Sequence, residues 1–518
     1  MNNQTTINSG RSLKQKIGLW AGPSAGLLIL LFADLQPNNV MVTRCAAVAA
    51  LMAIWWITEA IPIPATALLP VALYPLLGIM KGKATAAIYF NHVIFLFIGG
   101  FIIALAMQRW ELHRRIALKI ILLIGISPRR IILGFMAATF FLSMWISNTA
   151  TTMMMVPMAM AIIIKMKESF EEKQVRRFAV GLLIAIAYAA SIGGTSTLIG
   201  TPPNLAFSRI LVILFPHAPE ISFAQWMLFA TPFALMFLLI AWFFITRIFV
   251  GGKNQPPADI AIFEDEYRRL GKTGYEEKVI LCLFTLVALL WLFRKSITLG
   301  SFTLPGWSSL FPVPGFIDDG TIAIGVALLL FIIPARTRLG GRRVRIMDWA
   351  TASRLNWGIV LLFGGGFALA GGFADSGLAA YLGGQLAGLK SLPPLLIVVA
   401  VCLTLTFLTE LTSNTATTEI FLPILGAMSV AIGVNPLLLM IPATLSASCA
   451  FMLPVATPPN AIVFGTGEVQ MRDMMRVGIY MNLIGVLLIT TAIYLIGIYV
   501  FGIDPGQMPA WATSPKTP

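Results

Sequence analysis

The sequence predicts an all-α polytopic membrane protein built from two inverted repeats with re-entrant hairpins and discontinuous helices. Three observations support this prediction. The 518 residues are 58% hydrophobic and only 11% charged, with a mean hydropathy of +0.86. Several apolar runs reach the roughly 20 helical residues that cross a bilayer core. The hexapeptide Ser-Asn-Thr-Ala-Thr-Thr occurs twice, at 147–152 and at 413–418.

The net charge of +14 does not indicate a nucleic-acid partner. Lys and Arg residues lie in short loops beside apolar runs, which is the positive-inside pattern of membrane proteins. The sequence has no His/Glu metal set, no Gly-x-Ser-x-Gly elbow on a suitable strand and no phosphate-binding loop, so an enzyme is not favoured. Short loops without a large soluble domain suit a multi-pass protein of a bacterial inner membrane.

Composition divides the chain into five parts. A long polar interruption, rich in charged residues and containing a Pro-Pro pair, separates two apolar halves. The predicted parts are an N-terminal segment with the first span (1–44), repeat 1 (45–250), a linker (251–277), repeat 2 (278–503) and a C-terminal tail (504–518).

Repeat 1 follows a first span predicted at 18–35 and begins with a run that should be bent. Two prolines one residue apart interrupt the apolar stretch 45–80, and proline breaks or kinks a helix. Glu59 precedes them. A carboxylate at membrane depth is a candidate functional group; the alternative is that Glu59 caps the broken helix end. Further spans are expected at 87–107 and 222–249.

The first hexapeptide lies in the middle of the run 131–164. Arg130 precedes this run and Lys165 follows it, so both ends are expected on the cytoplasmic side. The run is too long for one span and too short for two, which predicts a re-entrant hairpin with the motif at its tip. Such irregular backbone is tolerated only where protein buries it or where it lines a wet cavity.

The next run, 178–215, is interrupted twice, by Gly-Gly-Thr-Ser-Thr at 193–197 and by Gly-Thr-Pro-Pro-Asn at 200–204. Glycine and proline open the hydrogen-bond ladder and free backbone groups to bind a ligand. The pattern is therefore typical of a discontinuous helix in a transporter.

Repeat 2 follows the same plan, with spans expected near 278–293 and 319–335. Its hexapeptide begins at position 413, and a Thr-Pro-Pro-Asn segment again follows. The second hairpin, roughly 392–433, has only Lys390 near its start and no basic residue at its end. The charge pattern is inverted, so repeat 2 should lie upside down relative to repeat 1.

The paired Ser-Asn-Thr motifs with their Thr-Pro-Pro-Asn segments, and the stretch Trp-Trp-Ile-Thr-Glu-Ala-Ile-Pro-Ile-Pro at 55–64, resemble the divalent anion/sodium symporters over about residues 45–500. The resemblance implies sodium-coupled symport of small dicarboxylates such as succinate, malate or fumarate. It also implies a homodimer with a scaffold domain and a transport domain that moves as an elevator. The alternatives are a sulfate or citrate carrier or a sodium-independent dicarboxylate exchanger of the same fold, or a channel.

The resemblance also assigns residues to at least two sodium sites and to a substrate site. The implied sodium ligands are Ser143, Ser147, Asn148 and Gly200 in the first site and Thr409, Thr412, Asn414 and Ala456 in the second. The implied substrate-binding residues are Asn148, Thr149, Thr201, Asn414, Thr415, Thr457 and Pro458.

The chemistry of these residues agrees with the implied function. Hydroxyl, amide and carbonyl oxygens suit Na⁺, and no Arg or Lys lies within either motif, so helix N-termini and sodium ions must offset the charge of a dianion. Glu410 and Glu419 flank only the second motif; Met144 and Met153 stand in the first. The two carboxyls either sense protons or tune charge, or they pair with a nearby donor and hold the hairpin.

Overall fold

Helices contain 75% of the residues, and the chain is a polytopic membrane protein with many apolar helices. The computed structural model describes residues 11–125, 127–250, 261–299, 302–339 and 342–513. The described strands form two short antiparallel ribbons in the polar connections on either side of one apolar helix. They are β1 Ile297–Leu299 with β2 Phe302–Leu304, and β3 Pro334–Leu339 with β4 Arg342–Arg345.

The first half of the chain forms twelve described helices. Most are long and apolar, and short helical pieces follow the second of them. The bounds are α1 Leu13–Phe32, α2 Val40–Thr58, α3 Ile63–Thr66, α4 Leu69–Leu76, α5 Gly82–Ile88, α6 His92–Arg109, α7 Leu112–Ile124, α8 Pro128–Ser143, α9 Asn148–Ser169, α10 Glu172–Thr195, α11 Pro202–Leu214 and α12 Phe223–Phe249.

The second half contains the remaining α-helices. A π-helical turn, Ile493–Gly497, joins two of them near the end. The bounds are α13 Ala261–Arg269, α14 Tyr275–Leu292, α15 Asp319–Ile332, α16 Trp349–Ala352, α17 Trp357–Ser376, α18 Leu378–Gln385, α19 Pro394–Thr409, α20 Asn414–Ile432, α21 Pro436–Ser446, α22 Pro458–Phe464, α23 Met471–Ala492, α24 Ile498–Phe501 and α25 Ala510–Thr513.

Nine helical stretches within the described ranges are long and apolar enough to cross a membrane. They include α1, α6, α12 and α17, which fall close to the apolar runs of the sequence. The first span begins earlier than predicted, at Leu13, because Ser12 caps the helix by accepting a hydrogen bond from the backbone N–H of Gln15. The prediction of a polytopic helical membrane protein is confirmed.

The run 45–80 does not form one bent span. Helix α2 begins at Val40 and ends at Thr58, and the short helices α3 and α4 follow. Glu59 closes α2 in the left-handed conformation, with φ 50° and ψ 39°, and its side chain is exposed. The interpretation of Glu59 as the cap of a broken helix is confirmed, and it is not a buried carboxylate within a span.

The predicted linker is partly helical and partly outside the described residues, which exclude 251–260. Its described part contains α13 and the start of α14. Arg115 on α7 holds this segment: its Nε donates to Glu277 Oε1 at 2.6 Å, and its Nη atoms donate to the carbonyls of Leu270 and Gly271. The connection is therefore folded against the first half where it is described.

Candidate functional site

Both hexapeptides lie at a break between two helices. Helix α8 ends at Ser143, and Ser147 is the N-cap of α9. In the second half α19 ends at Thr409, and Ser413 is the N-cap of α20. Each of the runs 131–164 and 392–433 therefore contains two helices that meet at a motif, and their re-entrant hairpin path stays a prediction.

Each hairpin is followed by a broken helix, as the sequence predicts for 178–215. Helix α10 stops at Thr195 and α11 begins after the N-cap Thr201; α21 stops at Ser446 and α22 begins after the N-cap Thr457. In both cases two prolines open the new helix, where their missing N–H is not needed. The residues between the halves of each helix are irregular backbone.

The first motif is joined to the first broken helix by the hydroxyl of Ser143. Its Oγ lies 2.5 Å from Asn148 Oδ1 and 2.8 Å from the carbonyl oxygen of Ala190 on α10. Thr197, in the break, donates a hydrogen bond to the carbonyl oxygen of Met144 at 2.6 Å. The tip of the hairpin and the break are thus held as one unit.

The same bonds recur in the second half. Thr409 Oγ1 lies 2.7 Å from Asn414 Oδ1 and 2.9 Å from the carbonyl oxygen of Ala447, which follows the end of α21. A serine hydroxyl in one half and a threonine hydroxyl in the other therefore make equivalent contacts. In both halves the amide oxygen of the motif asparagine faces a hydroxyl.

Two glycines bring the first break close to Asn148. A Cβ on Gly194 would lie 2.5 Å from Asn148 Oδ1 and 3.1 Å from the carbonyl oxygen of Gly200. Only a residue without a side chain fits between these two oxygens. The amide oxygen of Asn148 and the carbonyl of Gly200 therefore both lie close to Gly194.

Sequence reasoning did not assign a role to the asparagine that ends each Thr-Pro-Pro-Asn segment, although its identity in both segments was a visible signal. Asn204 Nδ2 donates to the carbonyl of Thr197 at 2.7 Å, and Asn460 Nδ2 donates to those of Ala450 and Leu453, both at 3.0 Å. These bonds hold each break in shape. The Oδ1 atoms of both asparagines are buried without a hydrogen-bond partner among the described residues.

The remaining predicted residues lie around these breaks. Thr149 and Thr415 are the second residues of α9 and α20, and Thr201 and Thr457 are buried N-caps. Pro458 is exposed, whereas Gly200 and Ala456 are buried. Thr412 differs from the rest because its hydroxyl contacts the carbonyl of Leu408 at 3.0 Å and Thr417 Oγ1 at 2.6 Å.

The two halves pack crosswise. Helix α9 of the first hairpin packs against α10 and also against α22, the second part of the other broken helix. Helix α20 packs against α21 and also against α11. The hydroxyl of Tyr188 on α10 donates to the carbonyl of Phe451 at 2.7 Å. No hydrogen bond joins Asn148 to Asn414 within the described ranges, and the crosswise packing joins the two halves through α9, α11, α20 and α22.

Glu410 does not lie free beside the second motif. Its Oε1 accepts hydrogen bonds from the backbone N–H groups of Phe451 and Met452 and from Asn482 Nδ2 at 2.7–2.8 Å, and its Oε2 accepts from Leu453 N at 3.0 Å. The interpretation that Glu410 pairs with nearby donors and holds the hairpin is confirmed. Asn482 lies far along the chain on α23, and nothing in the sequence pointed to it.

Glu419 behaves differently. It is fully buried on α20, and neither carboxyl oxygen has a hydrogen-bond partner in the described part of the chain. For Glu419 the interpretation as a residue paired with a donor is wrong.

The arrangement as a whole offers neutral oxygens and helix N-termini in a partly buried region. Helices α9 and α20 both begin at a motif, and the N-terminal end of a helix attracts an anion through its free N–H groups and dipole. In transporters, Na⁺ is bound by backbone carbonyl groups of the non-helical residues beside broken helix ends. Discontinuous helices in a polytopic membrane protein are the architecture of many secondary transporters.

The chain belongs to the divalent anion:sodium symporter family. The family model described as "Sodium:sulfate symporter transmembrane region" matches residues 25–503. The sodium-dependent dicarboxylate transporter SdcS of Staphylococcus aureus, in strains MRSA252 and NCTC 8325, is 46% identical over 501 residues, covering 96% of this chain and 94% of SdcS. The protein is therefore a multi-pass membrane protein, which in bacteria lies in the cell membrane.

Two solved structures show a similar fold. The YdaH transporter of Alcanivorax borkumensis aligns with a TM-score of 0.56 at 14% identity, over 88% of this chain and 99% of its own. MtrF of Neisseria gonorrhoeae, described as illuminating a class of antimetabolite efflux pumps, aligns with a TM-score of 0.53 at 14% identity, over 80% of this chain and 84% of its own. At this identity the likeness concerns the fold alone.

Proposed function

We propose that this protein is a symporter that carries a small dianionic dicarboxylate, such as succinate, malate or fumarate, together with at least two sodium ions. The observation that supports this function most is the repeated contact of Ser143 with Asn148 and of Thr409 with Asn414, each beside a broken helix. The similarity to a sodium-dependent dicarboxylate transporter at 46% identity supports the same choice.

The first sodium ion is bound by oxygens of Ser143, Ser147, Asn148 and Gly200, and the second by oxygens of Thr409, Thr412, Asn414 and Ala456. These groups fit a hard cation because they supply hydroxyl, amide and carbonyl oxygens without net charge. Thr412 contributes through its backbone carbonyl, since its hydroxyl already contacts Leu408 and Thr417.

The substrate carboxylates contact the two motifs. Because Asn148 Oδ1 accepts from Ser143 and Asn414 Oδ1 accepts from Thr409, the Nδ2 groups of both asparagines are left to donate to an anion. The N-terminal ends of α9 and α20 favour negative charge at the same place. The proposed substrate-binding residues are Asn148, Thr149, Thr201, Asn414, Thr415, Thr457 and Pro458.

Sodium binds first in this scheme. Each ion brings positive charge next to an asparagine that also contacts the anion, so the anion site is complete only when the ions are bound. The resulting coupling free energy is expected to be of order 1–3 kcal/mol, as is typical between linked sites.

The conformational part of the proposal is an elevator. Repeat 1 (45–250) and repeat 2 (278–503) are related as inverted repeats, joined by the linker (251–277) and flanked by the segments 1–44 and 504–518. The hairpins and broken helices form the transport domain, which moves against a scaffold within a homodimer. The matching hydrogen bonds at the two hairpin tips, each made to the asparagine of a hexapeptide, support the repeat.

Uptake of labelled succinate into proteoliposomes tests the function. We expect uptake to require an inward sodium gradient, because anion binding depends on bound sodium. Competition by excess sulfate or citrate would assign the protein to a sulfate or citrate carrier instead. Uptake that is independent of sodium but needs internal dicarboxylate would make it an exchanger, and passive, non-saturating flux would indicate a channel.

Replacing Gly194 by alanine should weaken sodium binding selectively. The new methyl group would lie 2.5 Å from Asn148 Oδ1 and 3.1 Å from the carbonyl of Gly200, so these two oxygens must move apart. We expect the sodium concentration for half-maximal uptake to rise roughly tenfold, since the loss of one interaction with a charged partner is about 1.5–3 kcal/mol.

Gly384→Ala is the control for this variant, because nothing lies within 4 Å of a Cβ on Gly384. It should leave the sodium dependence unchanged. An unaltered sodium dependence in Gly194→Ala would show that the space between Asn148 and Gly200 is not a sodium site.

A further inference from the structure

Glu419 is a buried carboxyl on the hairpin helix α20, in the second turn after Asn414. It is 0% exposed, and neither Oε1 nor Oε2 has a hydrogen-bond partner among the described residues. A charged carboxylate in such a position costs several kcal/mol, whereas a neutral carboxylic acid costs much less. In this arrangement the neutral acid is therefore the favoured form.

The carboxyl packs against Gly366, the last residue of the glycine triplet of α17. A Cβ on Gly366 would overlap the carboxyl carbon of Glu419 and lie 2.6 Å from its Oε2, and a Cβ on Gly365 would lie 2.5 Å from the carbonyl oxygen of Ala67. The helices approach this closely only because these positions have no side chain. The contact of α20 with α17 is therefore part of what keeps Glu419 dry.

Tyr89, at the end of α5, is the titratable group that faces Glu419. Its hydroxyl donates to the carbonyl oxygen of Ala67 at 2.5 Å, so that proton is not offered to Glu419. The other titratable or charged residues on elements that pack against α20 are Arg44, Cys45, Arg209, Asp375, Tyr381, Lys390 and Cys402.

We propose that Glu419 is a proton-binding site whose occupancy is linked to the position of α20 against α17. The proton is bound while the helices are in contact. When α20 moves away and water reaches the carboxyl, the O–H bond breaks and the proton passes to water. The hairpin that carries Asn414 would then respond to protons as well as to the proposed sodium ions and substrate.

The direction of the pH effect follows from the number of bound protons. The arrangement with α20 against α17 binds one more proton than an arrangement in which Glu419 is wet and ionised. Falling pH therefore favours the contact between the helices, and rising pH favours their separation, by up to about tenfold in the equilibrium constant per pH unit.

Hydrogen–deuterium exchange of the peptide 414–432 tests this linkage in the full-length protein. Wild type and Glu419→Gln are compared at each pH from about 6 to about 9, so that the pH dependence of chemical exchange cancels. The ratio of the wild-type exchange rate to the Glu419→Gln exchange rate should be smallest at the low end of this range. Wild type should exchange progressively faster than Glu419→Gln as the pH rises, because only wild type can ionise at this position.

Three comparisons control the experiment. Glu59→Gln removes an exposed carboxylate and should follow wild type at every pH. Gly366→Ala displaces the Glu419 carboxyl and should speed exchange at every pH. Gly371→Ala should exchange like wild type, because its new Cβ meets only the flexible ends of Ile88 and Met80. A constant ratio of wild type to Glu419→Gln across the range would overturn the proposal.

This inference uses the proposed movement of the hairpins, but its readout is exchange and not transport. A pH-dependent ratio without sodium-driven succinate uptake would uphold the proton site and reject the proposed function. Sodium-driven succinate uptake together with a constant exchange ratio would support the proposed function and reject the proton site. A constant ratio together with loss of sodium dependence in Glu419→Gln would show that the carboxylate binds sodium instead of a proton.

Discussion

Replacing Asn414 by alanine is expected to lower sodium-driven succinate uptake by at least about 100-fold. The change removes the amide oxygen of Asn414, which lies 2.7 Å from Thr409 Oγ1. It also removes the Nδ2 group of Asn414, which is the group proposed to donate to a substrate carboxylate. Each lost hydrogen bond to a charged partner is typically worth about 1.5–3 kcal/mol. Two such losses, one to sodium and one to the substrate, account for the expected factor.

Asn148→Ala should have an effect of the same size, because Ser143 and Asn148 repeat the geometry of Thr409 and Asn414. Initial uptake rates in proteoliposomes, at saturating and at limiting sodium, measure both variants. Asn356→Ala is the matched control, since Asn356 is exposed and its side chain does not cap α17.

Different outcomes for the two motifs would be informative. If only Asn414→Ala lost transport, the proposed pair of equivalent sites would be wrong, and the first hairpin would have another role. If both variants kept normal uptake while folded, as judged by size-exclusion chromatography, the motifs would not form the substrate and sodium sites.

Glu410→Gln should both destabilise the protein and abolish most of its uptake. The carboxylate accepts hydrogen bonds from three backbone N–H groups at 451–453 and from Asn482. A glutamine amide has only one acceptor oxygen, and its NH₂ group would face N–H donors. If the glutamine oxygen takes the place of Oε1, the N–H of Leu453 loses its acceptor and the new NH₂ group faces it. Two buried donors are then left unsatisfied at about 1–3 kcal/mol each, so the loss is expected to be about 2–6 kcal/mol.

The midpoint of thermal unfolding in detergent, together with uptake, measures this effect. Asn482→Ala removes one of the four donors and should cause a smaller loss of stability. Glu264→Gln, which changes only an exposed pair with Arg268, should change neither quantity. A normal unfolding midpoint and normal uptake in Glu410→Gln would contradict the view that this carboxylate holds the second break.

Much of the local structure could be predicted from the sequence. The apolar runs, the doubled hexapeptide and the two Thr-Pro-Pro-Asn segments correctly located the helix breaks at both motifs and the breaks in α10–α11 and α21–α22. These features are local, because each segment that spans lipid must satisfy its own backbone hydrogen bonds. Glycine and proline residues that interrupt a helix are therefore recognisable in the sequence. The family resemblance rests on the same residues.

The roles of the three carboxyls needed the tertiary structure. Glu59, Glu410 and Glu419 all lie in or beside apolar runs, yet one is exposed at a helix end, one accepts four hydrogen bonds and one is buried without a partner among the described residues. Their environments depend on backbone groups and helices that are distant in the chain, and no local pattern reports such contacts.

The sequence by itself therefore determined the class of the protein and the positions of its helix breaks. Exposing polar backbone to lipid costs free energy in each segment separately, so each segment carries its own signal. Only the tertiary structure decided how the halves interlock. The packing of α9 against α22 and of α20 against α11 and α17 arises from side chains far apart in sequence, which meet only when the whole chain is folded.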